Sequence, residues 1–506
     1  MITRKITSVT ITKGEDTGEK IVLYEKIFLT ISTCFFSAIL VQPVAASDPT
    51  GAETLQANPN APVNFSWVLI CGFLVMSMQL GFAMLETGLT RAKNAANIMM
   101  KNLMDFCAGS LAYWAVGFAL MMGTAEGITA MLIGTNGFFL WGSAYDVSTI
   151  EIWFWQMVFC ATAATIVSGV MAERTKFSTY VVASVIISAL IYPIYGHWMW
   201  GGGWLAQSDF MKSLGGGYGA LDFAGSGVVH AVGGFISMAG ALLVGPRIGK
   251  YNADGTPNAI PGHSVTLFML GVFILWFGWF GFNPGSTLAA TDLRISVIAA
   301  NTTLAAAAGA CVAMAITWLK NKKPDVGMTG NGVIAGLVAI TAPCAWVNPA
   351  IAVLIGAMAG LIVYVGVWFV DNILHIDDPV GGISIHGFNG IWGLLALGLF
   401  ADGTYGGVTG LFYGNPGFFL CQVIDSVVVF LWAFGAGLIM FYVLKKVMGL
   451  RVTKEEEIQG LDLGEHGMVA YPNFVQTELY GGGIPSGDAP PYAKPVVAAP
   501  QIKKEG

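Results

Sequence analysis

Two histidines stand where a histidine is expensive. His230 and His386 lie within uncharged apolar runs, DFAGSGVVHAVGG and ISIHGFNGIWG. The other four, His197, His263, His375 and His466, fall at the edges of such runs or in a polar tail. Ionisable side chains inside a membrane face a bundle interior or a pathway and are a default pointer to function. Burial favours the neutral imidazole, which offers a donor at one ring nitrogen and an acceptor at the other. A facing pair suits a small neutral solute that both donates and accepts. The competing reading is a helix–helix hydrogen bond. A zinc site is a poor fit, because two histidines come without a third ligand.

The surroundings of the two histidines repeat. In Asp222-Phe-Ala-Gly225-Ser-Gly-Val-Val-His230 and Asp378-Pro-Val-Gly381-Gly-Ile-Ser-Ile-His386, Gly follows Asp by three residues and His by eight. The first opens the fifth apolar span and the second the tenth, so an odd number of crossings separates them and they enter from opposite faces. That is an inverted repeat, with a site expected near the midplane. Eight helical residues rise ~12 Å. From opposite faces of a ~30 Å core the two rings converge to within several Å. Both aspartates suit helix N-caps, with Pro379 at the tolerated first position. Asp222 also borders the outer mouth, where a negative group attracts cations.

Aromatic residues gather at that mouth: Trp155 and Phe159, Trp198 and Trp200, and the run Trp276 to Phe282. They read either as an interfacial belt or as a cation–π site that strips water from a small cation. Ser286 adds a hydroxyl four residues after Phe282. Two further acids lie in apolar runs: Glu86, near Arg91 and Lys93, and Asp425, without an evident partner.

The elements that must position these groups follow from composition. The 506 residues are 55% hydrophobic and 11% charged, with a mean hydropathy of +0.67. Soluble domains carry about 25% charge, so the chain reads as an all-α polytopic membrane protein. A net charge of −6 without a basic stripe excludes nucleic acid as a partner. The 66 glycines sit largely inside apolar runs, as in closely packed membrane helices. The seven cysteines, in apolar stretches without CxxC spacing, read as packing residues. No cofactor motif is present.

Uncharged runs near 64–88, 103–123, 152–172, 177–199, 222–245, 264–284, 294–319, 328–344, 350–370, 380–401 and 417–444 predict eleven spans, arranged as five plus five with an extra C-terminal helix. Pro343 to Pro349 breaks an uncharged stretch into two of them. With the mature N-terminus outside, the inner connections hold fourteen Lys and Arg and the outer ones two, Lys212 and Arg294. This agrees with the positive-inside rule. Residues 1–46 read as a signal peptide ending at Val44-Ala45-Ala46, 47–447 as the membrane domain, 448–484 as a cytoplasmic tail, and 485–506 as a disordered Pro/Ala-rich end.

The motifs DFAGSGVVHAVGG, GFAMLETGLTRAKN (81–94), AERTKFS (172–178), HWMWGGGWLA (197–206), WFGFNPGS (279–286) and ISIHGFNGIWG (383–393) resemble the ammonium transporter family, the Amt/Mep/Rh superfamily, in its bacterial and plant-type branch. The similarity covers about residues 62–475. It implies an ammonium transporter in the plasma (cell inner) membrane, with methylammonium as an analogue substrate. The implied recruitment site is Phe159, Trp200 and Ser286 supported by Asp222, and the implied gate is Phe159 over Phe282. The pore would be lined by His230, His386 and Trp279, with Trp155 as a further outer aromatic. A homotrimer, a tail that contacts neighbouring subunits and a PII-type regulatory partner are also implied. Two departures stand out. Gly464 replaces the phosphorylatable Thr of plant relatives in LDLGEHG (461–467), and Glu86-Thr87-Gly88 differs from the common family form. The alternatives weighed are a membrane ammonium sensor, an intramembrane enzyme and a channel for uncharged gas or urea. No HExxH, GxSxG or paired catalytic carboxylates support the enzyme.

Overall fold

The computed structural model describes residues 47–472. The segments read as a signal peptide and as a disordered end, and the last part of the tail, lie outside the described residues. Ten helices there are long and apolar enough to cross a membrane. They are α1 (Ala61–Leu89), α2 (Ala92–Met122), α3 (Val147–Val170), α4 (Phe177–Gln207), α5 (Ser226–Val244), α6 (Val265–Gly285), α7 (Ile295–Asn321), α9 (Pro349–Asn372), α10 (Ile383–Phe400) and α11 (Pro416–Val447). Between them, α8 (Val326–Thr341) is apolar but has only 16 residues. At 1.5 Å per residue it measures about 24 Å, short of a ~30 Å core.

The short helix survives because protein surrounds it. Its residues from Gly330 to Thr341 are buried. The Ser226 hydroxyl donates to Val338 O (2.7 Å) and accepts from Ala342 N (2.7 Å). The Asn301 amide donates to Cys344 O and Val347 O at 2.9 and 2.8 Å. Irregular backbone at membrane depth is tolerated when protein groups satisfy it in this way. The break expected at Pro343 to Pro349 falls in this turn.

The second span begins earlier than its charge pattern predicts. Lys101 reads as a loop residue in the sequence, yet it lies inside α2 with no exposed surface. Its ammonium donates to Ser168 O (3.2 Å) and sits 5.2 Å from the Tyr180 ring centre.

Glycine allows close crossings. A Cβ on Gly271 of α6 would lie 2.4 Å from Leu85 N of α1, and one on Gly234 of α5 would lie 2.3 Å from Gly387 N of α10. The second crossing brings the two histidine helices together. The tail forms α12 (Lys454–Gln459) and α13 (Leu461–His466), the first opened by a capping box between Thr453 and Glu456. It docks on the membrane domain of the same chain: the Asp462 carboxylate accepts from Ala96 N and Asn97 N at 3.0 and 2.7 Å, and Lys93 Nζ donates to Glu457 O and Ile458 O at 2.6 Å.

On the same side, an ion-pair cluster joins the loops. Arg247 meets Asp377 at 2.9 Å and Glu173 at 3.4 Å, and Arg91 pairs with Glu173. These partners account for Arg91 and Lys93, neither of which compensates Glu86 as the sequence suggested. Glu86 instead accepts from Asn102 Nδ2 at 3.0 Å.

Candidate functional site

The repeated motif has the same local architecture twice. Gly225 (φ 114°) and Gly381 (φ 78°) both take the left-handed conformation, which glycine adopts without a Cβ penalty. Each turn lets the preceding aspartate fold back under the new helix. Asp222 accepts from the N–H groups of Gly225, Ser226, Gly227 and Val228 at 2.8–3.0 Å. Asp378 accepts from Val380, Gly381 and Ile383 at 2.8–3.2 Å. Burial pushes both carboxyls above the ordinary value, and these backbone donors pull them back. The aspartates satisfy orphan helix donors.

The approach to each histidine differs from the continuous helix the sequence suggested. The wide turns Ser226–Ala231 and Ile383–Phe388 open α5 and α10. Asp222 and Asp378 precede them in non-helical backbone, so each histidine sits in the first turns of its helix. The rings still meet. Their centroids are 5.2 Å apart at 23° between planes, with the two Nδ1 atoms 3.2 Å apart. One Nδ1 must donate to the other. A neutral pair therefore presents one Nε2–H donor and one bare Nε2 acceptor to a guest. His230 Nε2 has no protein partner among the described residues.

A file of rings continues from the histidines. His230 stacks against Phe282 (5.4 Å, 28°) and Trp279 (5.0 Å, 18°). Phe282 stacks on Phe159 at 4.2 Å, and Phe159 meets Trp200 edge-on at 6.1 Å and Trp155 at 4.7 Å. Trp200 Nε1 donates to Asp222 O at 2.8 Å, tying the aromatic cluster to the capped turn. Ser286 donates its hydroxyl hydrogen to Phe282 O at 2.7 Å, which leaves its oxygen lone pairs free to accept.

The sequence reading missed three contributors. Phe82 of α1 lies 5.8 Å from the His386 ring. Thr341, at the end of α8, accepts from Trp279 Nε1 at 2.9 Å and fixes its plane. Tyr195 of α4 donates to Asp425 at 2.5 Å, which gives that acid its partner. These contacts join helices far apart in the chain, and no local spacing encodes them.

The model of the Ammonium Transporter Family matches residues 66–471. The chain belongs to the ammonium transporter family. Ammonium transporter Amt2 of Archaeoglobus fulgidus is 64% identical over 448 residues, covering 87% of this chain and 95% of that relative. Ammonium transporter 3 of Dictyostelium discoideum is 37% identical, over 80% and 93% of the two chains. Among solved structures, one described as "Sensor Amt Protein" superposes with a TM-score of 0.75 at 40% identity, covering 81% of this chain and all of that one. Mep2 of Candida albicans gives 0.72 at 28% identity, over 85% and 95%. Family membership agrees with the all-helical, multi-pass fold and makes this an ammonium transporter of the membrane.

Proposed function

We propose that this ammonium transporter binds NH₄⁺ in the vestibule formed by Phe159, Trp200 and Ser286, with Asp222 in support. The ion gives its proton to outer water there, an N–H bond breaking as the water takes the proton, and NH₃ passes the Phe159–Phe282 gate and the His230–His386 pair, beside Trp279, toward the tail side. The observation that carries this reading is the unbroken file of rings from Trp200 to His386. It provides π faces for a cation at one end and neutral imidazole further in. Moving bare NH₄⁺ into an apolar interior costs tens of kcal/mol on an idealised Born estimate. Cation–π contact returns roughly 2 kcal/mol. Shedding the proton removes that cost, and K⁺ has no proton to shed.

The decisive experiment compares NH₄⁺ and K⁺ currents in proteoliposomes for wild type, His230→Glu and His386→Glu. A carboxylate at either position gives a dehydrated cation a partner, so discrimination against K⁺ falls. Assembled, conducting variants that keep the wild-type ratio refute the histidines as the selectivity element.

The reading extends to a homotrimer in the plasma membrane with the mature N-terminus outside and the tail cytoplasmic. The excess of Lys and Arg at the inner ends and connections of the spans, with Lys101 set aside as a residue inside α2, supports that orientation. In this arrangement the docked tail is the contact surface for a PII-type regulator. Sensing is the second reading, favoured by the likeness to the solved chain described as a sensor. Substantial ammonium flux through the purified protein separates transport from a purely sensory role.

A further inference from the structure

Glu86 has no part in the proposed pathway, yet it lines a cavity that His386 also lines. Next to His386 is a small cavity of about 20 Å³, lined by Phe82, Leu85, Glu86, Ile334, Val380 and His386 among others. That is room for a single water-sized molecule. His386 and Glu86 are the ionisable residues among its otherwise apolar lining. Glu86 is 1% exposed and lies near the tail-side end of α1. The side chain is therefore shielded from bulk water and lipid, on a residue that lines the cavity beside His386.

The surroundings suit a group that alternates between charged and neutral. Asn102 Nδ2 donates to Glu86 at 3.0 Å, and the Asn102 carbonyl oxygen accepts from Thr165 at 2.7 Å, which fixes its orientation. Lys101, one residue earlier on α2, acts electrostatically on Glu86 and is the counter-charge for its carboxylate form. Asp105, held by Tyr180 (2.6 Å) and Gln79 (2.6 Å), is the other acid of the cluster, while Arg174 and Glu465 act on Lys101 from the loop and tail sides. On α3, Gly169 leaves space for the group, since a Cβ there would fall 3.0 Å from Glu86 Cγ and 2.9 Å from Val380.

We propose that Glu86 is the proton-exchanging residue at the tail-side end of the pore, protonating each NH₃ that passes His386 and holding the NH₄⁺ formed beside its carboxylate. The proposal rests on the reading that NH₃ is the species crossing the histidine pair. In the step, the O–H bond of the Glu86 carboxylic acid breaks and an N–H bond forms on ammonia. The carboxylate left behind regains a proton from tail-side water as NH₄⁺ departs. His386 is held through its Nδ1 by His230 and presents only its Nε2 to the guest, whereas the Glu86 carboxyl has no second imidazole bound to it.

The test is inward ammonium flux into proteoliposomes at fixed outer pH and varied inner pH, for wild type, Glu86→Gln and Glu86→Asp. Wild-type flux falls as inner pH rises, because the carboxylate is reprotonated from that side. Glu86→Gln loses this inner-pH response and is slower by about tenfold or more, below the 10²–10⁴ a positioned proton donor typically contributes. Glu86→Asp keeps the response, and exclusion of K⁺ is unchanged in both. An assembled Glu86→Gln with the wild-type rate and inner-pH response overturns the proposal. Should that variant fail to assemble, ammonium-induced infrared difference spectra of wild type and Glu86→Asp decide. A carboxyl band that differs between them supports the role, and identical spectra overturn it. Unaltered K⁺ discrimination in the His386→Glu variant is a failure of the pore reading itself and is scored separately.

Discussion

Replacing Asp222 with Ala tests whether its carboxylate acts first as a cap. The side chain is 5% exposed and accepts four backbone N–H bonds. Removing it leaves four buried donors without an acceptor. An unsatisfied buried group costs about 1–3 kcal/mol, so the local loss is about 4–12 kcal/mol if water does not enter. Asp378→Ala strands three donors at a half-buried position that water can reach, so its loss lies below about 3–9 kcal/mol on the same reasoning. Asp222→Asn keeps one oxygen to accept two of the four bonds, and it turns the amide hydrogens toward the other two. The expected order of damage is therefore Asp222→Ala, then Asp378→Ala, with Asp222→Asn milder than Asp222→Ala. The assay is the temperature of half-loss of the folded species in detergent, followed by size-exclusion fluorescence, with methylammonium uptake measured in parallel. An Asp222→Ala protein with wild-type thermal resistance and impaired uptake would refute the capping argument and leave cation attraction as its role.

Two further outcomes are expected. Trp200→Leu removes a π face and the bond to Asp222 O, and should weaken apparent methylammonium affinity by roughly 5- to 30-fold, the equivalent of about 1–2 kcal/mol; unchanged saturation kinetics would remove the cation–π role. In the loop cluster, burial alone would raise the carboxyls of Glu173 and Asp377, but the charges of Arg247 and Arg91 on the first, and of Arg174 and Arg247 on the second, hold both below the ordinary range. With folded values depressed, their stabilisation is fully present above the unfolded value of about 4 and is lost as pH falls through the folded values. Thermal resistance measured from pH 7 to 3 should show this loss only at the acid end, and Asp377→Asn should flatten it; an identical acid profile in that variant would refute the assignment.

Much of the molecule was legible because the bilayer imposes a simple code. Apolar length gave the spans. A two-fold Asp–Gly–His spacing marked the turns that carry the site. That spacing is local, since each aspartate caps the residues just after it, and a sequence displays local hydrogen bonding directly. The reading misplaced Lys101 because it took charge as the mark of a loop. Nothing in the surrounding run announces that Ser168 and Tyr180 wait on other helices to receive it. Likewise, apolar length and Pro343 to Pro349 delimited the short run near 328–344, but could not show that Ser226 and Asn301 from elsewhere in the chain make a 16-residue helix tolerable.

The residue types, their order and the inversion of the repeat were thus determined by the sequence itself, because they depend on composition and on spacing within one helix. Tertiary structure alone decided which rings touch. Phe159 stacks on Phe282, His230 turns its Nδ1 toward His386, Asp425 receives Tyr195, and Glu86 meets a cavity beside His386. Each of these is a contact between side chains of different helices, fixed by the angle and depth at which glycine-lined helices cross. A shift of one residue in any of those crossings would carry a ring about 1.5 Å along its axis and 100° around it, enough to break the file while leaving every local pattern unchanged.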